Sequence, residues 1–349
     1  PVLGARPRSA GGLRPVPAPG RLTRGRPMGG DPHDGTHDTL QAGSPVPQPV
    51  TLVPVVGSRD VAPASGLATV PALMGLVRVQ HTVFALPFAL AGALLAEMAW
   101  PSIGRLAWIL IAMVGARSLA MALNRLIDAD IDARNPRTAG RELPSGRLTS
   151  AQVTMFCAVS LAVLLVAVSQ LPWLTWVLWP IPVAAFVIYP YTKRFTWGCH
   201  LFLGLTIGLA PVGAWVAVTN EIAPAAILLG LGVATWIAGF DIIYALLDVE
   251  FDRANGIRSF PARFGAHAAL LAARALHVSA IALLSAAGLL ADAGLVYQVG
   301  VLACAAILVY EHMIVDPADP GRVQAAFGSA NGVLALVYGA FVIVAVTIS

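Results

Sequence analysis

Two groups of carboxylates stand out in a chain that carries few. Of its 18 acidic residues, seven fall in two short stretches: Asp128, Asp130 and Asp132 in NRLIDADID, and Asp241, Asp248, Glu250 and Asp252 in DIIYALLDVEFD. Asn124, Asp128 and Asp132 are spaced i, i+4 and i+8, which places all three on one helical face. Asp241, Asp248 and Asp252 are spaced i, i+7 and i+11, again one face, with Tyr244 beside them. Asp130 and Glu250 point off these faces and are expected to be solvated or to support the others. Like charges one turn apart repel, so each face calls for a cation. Carboxylate and amide oxygens are hard donors that suit Mg²⁺, which takes one or two carboxylates and completes its shell with water and substrate phosphates.

The flanking residues point to the same chemistry. NPRTAGRELPSG follows the first group and NGIRSFPARFG the second, so each continues with Asn, an Arg-Thr or Arg-Ser pair, a further Arg and a Gly. This reads as an internal repeat. Arginine forks complement phosphate oxygens, and two carboxylate faces with matched arginines describe a diphosphate clamp better than a bare ion site. A single acidic run beside arginines is usually a solvated loop making ion pairs; two with matched spacing and matched flanks favour function. A third segment, YPYTKRFTWG, holds the adjacent pair Lys193 and Arg194. It suits either a positive anchor with an interfacial aromatic belt or a diphosphate contact.

The elements that must carry these residues follow from composition. The 349 residues are 57% hydrophobic and 11% charged, with a mean hydropathy of +0.76, whereas a soluble domain is about 25% charged. The apolar residues fall in runs of about twenty, the length a helix needs to cross ~30 Å of hydrocarbon, not in the short alternating stretches of a membrane β-barrel. Nine spans are expected, at 82–100, 106–124, 153–171, 174–191, 200–218, 223–247, 267–290, 295–314 and 325–348. The fold class is therefore all-α, a polytopic nine-helix membrane bundle. Alternate links carry the basic residues: Arg125, Arg134, Arg137, Arg141 and Arg147; Lys193 and Arg194; Arg253, Arg258 and Arg263; and Arg322, against Arg105 alone in the others. Positive charge marks the cytoplasmic side. The protein is thus expected in the cytoplasmic (inner) membrane, with its N-terminus and both acidic groups inside and its C-terminus outside.

Residues 1–75, rich in Pro, Gly and Arg, are expected to be a disordered leader, with Met28 and Met74 both plausible starts and no signal-peptide core; residues 76–349 form the membrane domain. The net charge of +4 owes much to leader arginines and shows no basic stripe for nucleic acid. Cys157, Cys199 and Cys304 lack CxxC spacing, which argues against a disulfide framework or thiolate metal site, and His33 and His37 in the leader are not read as a metal site.

In these motifs the sequence resembles the UbiA superfamily of intramembrane aromatic prenyltransferases. The likeness runs through NRLIDADID, RTAGRELPSG, YPYTKRFT, DIIYALLDVEFD and GIRSFPARFG and covers residues 78–349. That family is a nine-span helical bundle whose NDxxDxxxD and DxxxDxxxD motifs bind Mg²⁺ and an isoprenyl diphosphate. The resemblance implies that Asn124, Asp128 and Asp132 hold one metal and Asp241, Asp248 and Asp252 a second, with Asp128, Asp132, Asp248 and Asp252 as the catalytic acids. It makes Arg137, Arg141, Lys193, Arg194, Arg253 and Arg258 the candidates for diphosphate contacts. Arg125 stands where the family motif usually has Asp, which lowers the acid count of the first site. The haem O synthase branch fits poorly, because its second motif lacks this run of acids. QHTVFALPFAL and DVEFDRANGIRSFPARFG are similar to 4-hydroxybenzoate polyprenyltransferases and to the branch assigned to the futalosine route of menaquinone synthesis.

The implied activity is Mg²⁺-dependent transfer of a polyprenyl group from polyprenyl diphosphate to an aromatic phenolic acid such as 4-hydroxybenzoate, in ubiquinone or menaquinone biosynthesis. The alternative acceptor is a dihydroxynaphthoate. The competing class is a cation-coupled transporter, which places its sites near the bilayer midplane on broken helices; a non-catalytic scaffold gives no reason to stack acids on two faces. Tyr244 suits either orienting a carboxylate or packing. Arg78 and His81, at the start of span one, suit an acidic acceptor or a membrane anchor, and Arg117 suits pairing inside the bundle. Gly204 and Gly208 form a GxxxG packing device, Asn331 suits an interhelical hydrogen bond, and His267, His277 and His312 show no metal-ligand spacing to one another.

Overall fold

The computed structural model describes residues 64–66, 69–77 and 82–349, and every regular element among them is a helix, with no strand. Arg78, His81, His33, His37 and most of the expected leader lie outside the described residues. Helix α1 (Thr69–Val77) begins within the expected leader, and its Leu76 is buried against Leu119, Ala122 and Leu148. The expected first span, 82–100, is helical as α2 (Thr82–Leu95) and then turns. Among the described residues, eight helical stretches are long and apolar enough to cross a membrane, with Leu86–Leu95 as a shorter apolar helix. The difference from nine lies in this first segment, where the helix ends at Leu95.

Each motif ends a long helix. Helix α3 (Ile103–Ile127) starts where the Ser102 hydroxyl accepts the Arg105 amide and ends at Asp128, after which α4 (Ala129–Arg134) resumes. A capping box of Thr149 and Gln152 opens α5 (Ser150–Ser169), a device that satisfies two otherwise orphaned groups. Then come α6 (Trp173–Leu178), α7 (Pro180–Thr192) and α8 (Cys199–Thr219). Helix α9 (Pro224–Tyr244) opens with Pro at its first position, tightens into a 3-10 turn (Ala245–Asp248), and continues as α10 (Val249–Ala254). Helix α11 (Phe260–Leu290), kinked at Gly265 where φ is 82°, packs on α9, as does α8. Helix α12 (Gly294–Ile314) leads to α13 (Pro320–Ala325), a π-helical turn (Ala326–Ala330), and α14 (Asn331–Ile348).

Helix α9 is the buried axis of the bundle. GxxxG lets α8 lie on it closely: a Cβ on Gly204 would sit 2.1 Å from the Ala234 carbonyl oxygen, and one on Gly208 2.4 Å from that of Gly230. The largest core cluster joins Phe88 of α2, Trp236 of α9, Tyr297 of α12 and Tyr338 of α14. This rigid centre carries the second acidic motif at one end.

Candidate active site

The repeat read from the flanks is present in the backbone. Both helices that carry a motif break at its middle aspartate, Asp128 (φ −96°, ψ 5°) and Asp248 (φ −114°, ψ 5°), and a short helix then presents Asp132 or Asp252. In the first motif the i→i+4 backbone bonds run on through the break, from Asp128 N to Asn124 O at 3.0 Å and from Asp132 N to Asp128 O at 2.8 Å. The expected common face survives there. In the second motif the 3-10 turn rewinds the chain, so Asp241 and Asp248 do not belong to one regular helix; the cavity, not the helical spacing, brings them together.

That cavity has a volume of about 350 Å³ and lies at the end of the bundle where α3, α7 and α9 finish and α8 begins. Asn124, Asp128, Asp132, Asp241, Asp248 and Asp252 all line it, as do Arg137, Arg141, Lys193 and Tyr244. Asp130 and Glu250 are exposed, as their spacing implied. The acids and bases are zipped together across the cavity. Lys193 Nζ donates to Asp128 Oδ2 at 2.7 Å, and Asn124 Nδ2 donates to the same oxygen at 2.9 Å. Arg141 Nη1 reaches both oxygens of the buried Asp132, at 2.7 and 2.6 Å. Arg137 clasps Asp248 with two nitrogens, Nε at 2.9 Å from Oδ1 and Nη2 on Oδ2, and donates from Nη1 to the Tyr244 hydroxyl at 2.7 Å. Asn135 Nδ2 also donates to Asp248, at 3.0 Å, so the loop after the first motif holds the acid of the second.

Three of the cationic candidates sit differently. Arg194 donates to the Ile127 carbonyl at 2.8 Å and lies 3.6 Å from Asp128 Oδ1, outside the cavity wall. Arg253 and Arg258 do not line the cavity: Arg253 Nε donates to the Ala262 carbonyl at 2.9 Å and Arg258 Nη1 to that of Phe195 at 2.8 Å. Their role here is to tie the α10–α11 connection to its neighbours. Arg125 is buried on the wall with Nη1 3.9 Å from Asp132 Oδ2, so the departure from the family motif puts a cation where an acid would stand.

Several lining residues carry weaker sequence signals. His200, the second residue of α8, brings Nδ1 within 2.6 Å of Asp241 Oδ2, while its Nε2 accepts the Phe260 amide at 3.2 Å. An acceptor Nε2 places the ring proton on Nδ1, where it is donated to Asp241. Ser259, beside Phe260, donates to the buried Asp252 at 2.5 Å, so one turn of chain anchors two acids of the second motif. Arg117 and Tyr189 line the wall farther from the mouth, with Leu203, Ile207, Ile237, Phe240 and Phe327 supplying its apolar part.

The donors present suit a magnesium ion. Burial pushes the Asp128 carboxyl above the usual carboxylate range while Lys193 pulls it back, and its Oδ1 is buried and accepts no hydrogen bond among the described residues. An oxygen in that condition has a lone pair to give. No three His, Cys, Asp or Glu side chains among the described residues converge to hold a metal by themselves. Magnesium takes one or two carboxylates and completes its shell from phosphate and water.

The profile of the UbiA prenyltransferase family matches residues 85–342. Among characterised relatives, the 4-hydroxybenzoate octaprenyltransferase of Vibrio atlanticus is 30% identical over 251 residues, 71% of this chain and 88% of that one. The enzyme of the same name from Aliivibrio salmonicida is 29% identical over 240 residues, covering 69% and 82% of the two chains. Among solved structures, the apo form of a UbiA homolog from Aeropyrum pernix superposes with a TM-score of 0.70 at 33% identity, over 76% of this chain and 98% of that one. A UbiA homolog from Archaeoglobus fulgidus, solved with GPP and Mg²⁺, shares the fold at 18% identity, with a TM-score of 0.60 over 79% of this chain and 99% of that one.

Proposed function

The chain belongs to the UbiA prenyltransferase family and is a membrane-embedded polyprenyltransferase; on that premise we propose that it transfers a polyprenyl group from polyprenyl diphosphate to a phenolic acid of the 4-hydroxybenzoate type, for quinone biosynthesis. The observation that carries this reading is the pairing across the cavity: Lys193 on Asp128, Arg141 on Asp132 and Arg137 on Asp248. In each of these pairs the acid offsets the charge of the base. Arg137, Arg141 and Lys193 would take the phosphate oxygens of a diphosphate, and the carboxylates would hold its magnesium.

Asn124, Asp128 and Asp132 would offer the ligands for one ion, and Asp241, Asp248 and Asp252 those for the other, with one or two carboxylates on each ion and phosphate and water completing its shell; Asp241 would keep one oxygen on His200. Bound there, Mg²⁺ supplies neutralisation of the charge that develops on the leaving diphosphate. Arg137, Arg141 and Lys193 bind the same leaving group by charge-assisted hydrogen bonds. The isoprenyl chain lies along Phe240, Phe327, Ile237 and Ile207, where water is excluded from the allylic carbon. Arg117, on the inner wall, suits the carboxylate of the acceptor, since a guanidinium fork matches a carboxylate in two hydrogen bonds. The ring carbon beside the phenol oxygen attacks C1 of the prenyl group, the C1–O bond breaks with its electron pair leaving on diphosphate, and the ring proton departs. The basic loops at the cavity end support a site on the cytoplasmic face of the inner membrane.

The test is product identification. Purified protein, Mg²⁺ and a labelled prenyl diphosphate are offered 4-hydroxybenzoate and dihydroxynaphthoates side by side, and products are read by mass spectrometry. A prenylated 4-hydroxybenzoate that disappears with EDTA supports the reading. Prenylation of a naphthoate alone moves the acceptor assignment, and transfer untouched by EDTA removes the metal role.

A further inference from the structure

A second polar cluster lies behind the cavity, buried in the bundle and unused by the chemistry above. Its hub is Asn331, the first residue of α14, which is 1% exposed. The Asn331 Oδ1 accepts the indole N–H of Trp236 at 2.7 Å. Its Nδ2 donates to Glu311 Oε1 at 3.0 Å and to the carbonyls of Ala326 and Phe327 at 3.1 and 3.2 Å. Glu311 is fully buried. Burying a carboxylate and a carboxamide inside an apolar bundle is costly unless they are hydrogen-bonded, and a leucine pair would pack as well. The cluster therefore marks something that packing alone does not need.

What it holds is the π-helical turn Ala326–Ala330. A π turn breaks the regular helical bonding; it occurs mostly as a single turn inside an α-helix, frequently at a functional site. The two carbonyls that Asn331 takes, of Ala326 and Phe327, stand five and four residues before it, within that turn. Phe327 is the turn's outward product. It lines the cavity and stacks on Tyr244 with ring centroids 4.1 Å apart and planes at 28°, and Phe240 meets it edge-on at 5.4 Å. Tyr244 in turn accepts Arg137, which clasps Asp248. The Phe327 ring thus stands two side chains from the acid proposed to hold the leaving group.

We propose that Asn331 is a positioning residue that, with Glu311 and Trp236, locks the π turn so that Phe327 walls the first isoprene unit of the diphosphate substrate against water. This rests on the prenyl-transfer reading above. Once the C1–O bond of the allylic diphosphate breaks, C1 has two fates. It bonds to the aromatic ring carbon, which then loses a proton, or it bonds to the oxygen of a solvent water, which loses a proton to leave the prenyl alcohol. Phe327 biases that choice by covering the electron-poor carbon with an aromatic face.

The test reads the ratio of prenyl alcohol to prenylated arene at a fixed acceptor concentration. Both products come from the same folded molecules, so the ratio does not move when a variant merely lowers the amount of active protein. Phe327→Leu is expected to raise the ratio about fivefold, the scale set by a lost aromatic face beside a desolvated cation. Asn331→Ala is expected to raise it equally, and the double variant no further, because one acts through the other. Glu311→Gln, which keeps an oxygen for Asn331, stays near the unsubstituted ratio. Amide hydrogen exchange supplies a second readout: Asn331→Ala speeds exchange across 326–331 and leaves 124–132 unchanged. A ratio unmoved in Phe327→Leu, or moved there but not in Asn331→Ala, overturns the proposal. If the unsubstituted protein releases no diphosphate, prenyl transfer itself has failed, a result distinct from an unmoved ratio.

Discussion

At the scale of single residues, three carboxylates of the candidate site, Asp128, Asp132 and Asp248, are each paired with a cation. Lys193 supports the ionised form of Asp128 against burial, which pushes that carboxyl upward. Lys193→Met removes the opposing influence, so the Asp128 carboxyl rises further and the anion proposed to hold the metal is populated only at higher pH. The acid limb of the pH–rate profile is therefore expected to move upward in Lys193→Met; an unmoved limb would separate Asp128 from the rate. The i, i+4, i+8 spacing put Asn124, Asp128 and Asp132 on one face, and the backbone bonds from Asn124 to Asp132 keep that face. The places of Arg253 and Arg258 were not readable, since nearness to a motif in the chain does not say which way a long side chain turns; both turn to backbone carbonyls. Arg117 and His200 are single polar residues on apolar helices, and only the cavity wall separates them from residues that pair inside a bundle. Removing the ring in His200→Ala leaves Asp241 without its 2.6 Å partner. The expected loss is about tenfold in turnover, the lower end of what loss of a supporting hydrogen bond to a metal-binding residue costs, with a weaker apparent affinity for Mg²⁺ as the distinguishing measurement.

The helices place these residues by breaking at the right points. Asp128 and Asp248 share a non-helical turn of nearly the same dihedral angles, and each break aims a second acid into the cavity from a short helix. The i, i+7, i+11 spacing of the second motif predicted one face of an unbroken helix; the 3-10 turn Ala245–Asp248 replaces it. Periodicity cannot reveal such a turn, because its residues, Ala-Leu-Leu-Asp, would also continue an α-helix. GxxxG on α8 was readable as close packing, and the structure supplies its partner, α9. Gly204→Val drives a side chain into the Ala234 carbonyl. Overpacking of this kind costs about 1–3 kcal/mol, so the melting midpoint in detergent is expected to fall by about 5 °C. An unchanged midpoint would mean that α8 and α9 are not held by this contact.

For the whole molecule, scarcity of charge made the sequence informative. With 11% charged residues, the arginine-bearing loops define one end of the bundle, and the acids gather at that same end. The helix breaks also lie there, whereas a transporter site calls for breaks near the midplane. The inside orientation of that end is open to a labelling test. A cysteine introduced at exposed Glu250 is expected to react with an impermeant maleimide only in inside-out vesicles, and one at Ser349 only in right-side-out vesicles; the reverse pattern would invert the topology. The central claim is that the paired acids and bases of one cavity bind a prenyl diphosphate and release its leaving group. Its most direct measurement is diphosphate release, coupled to prenylated arene, in the unsubstituted protein and in Asp128→Asn and Asp248→Asn, each of which conserves size and removes one charge. Stoichiometric release is expected in the first and a loss of at least about 100-fold in each variant, the scale seen when one stabiliser of developing charge is removed. Release that survives both substitutions would contradict the central claim.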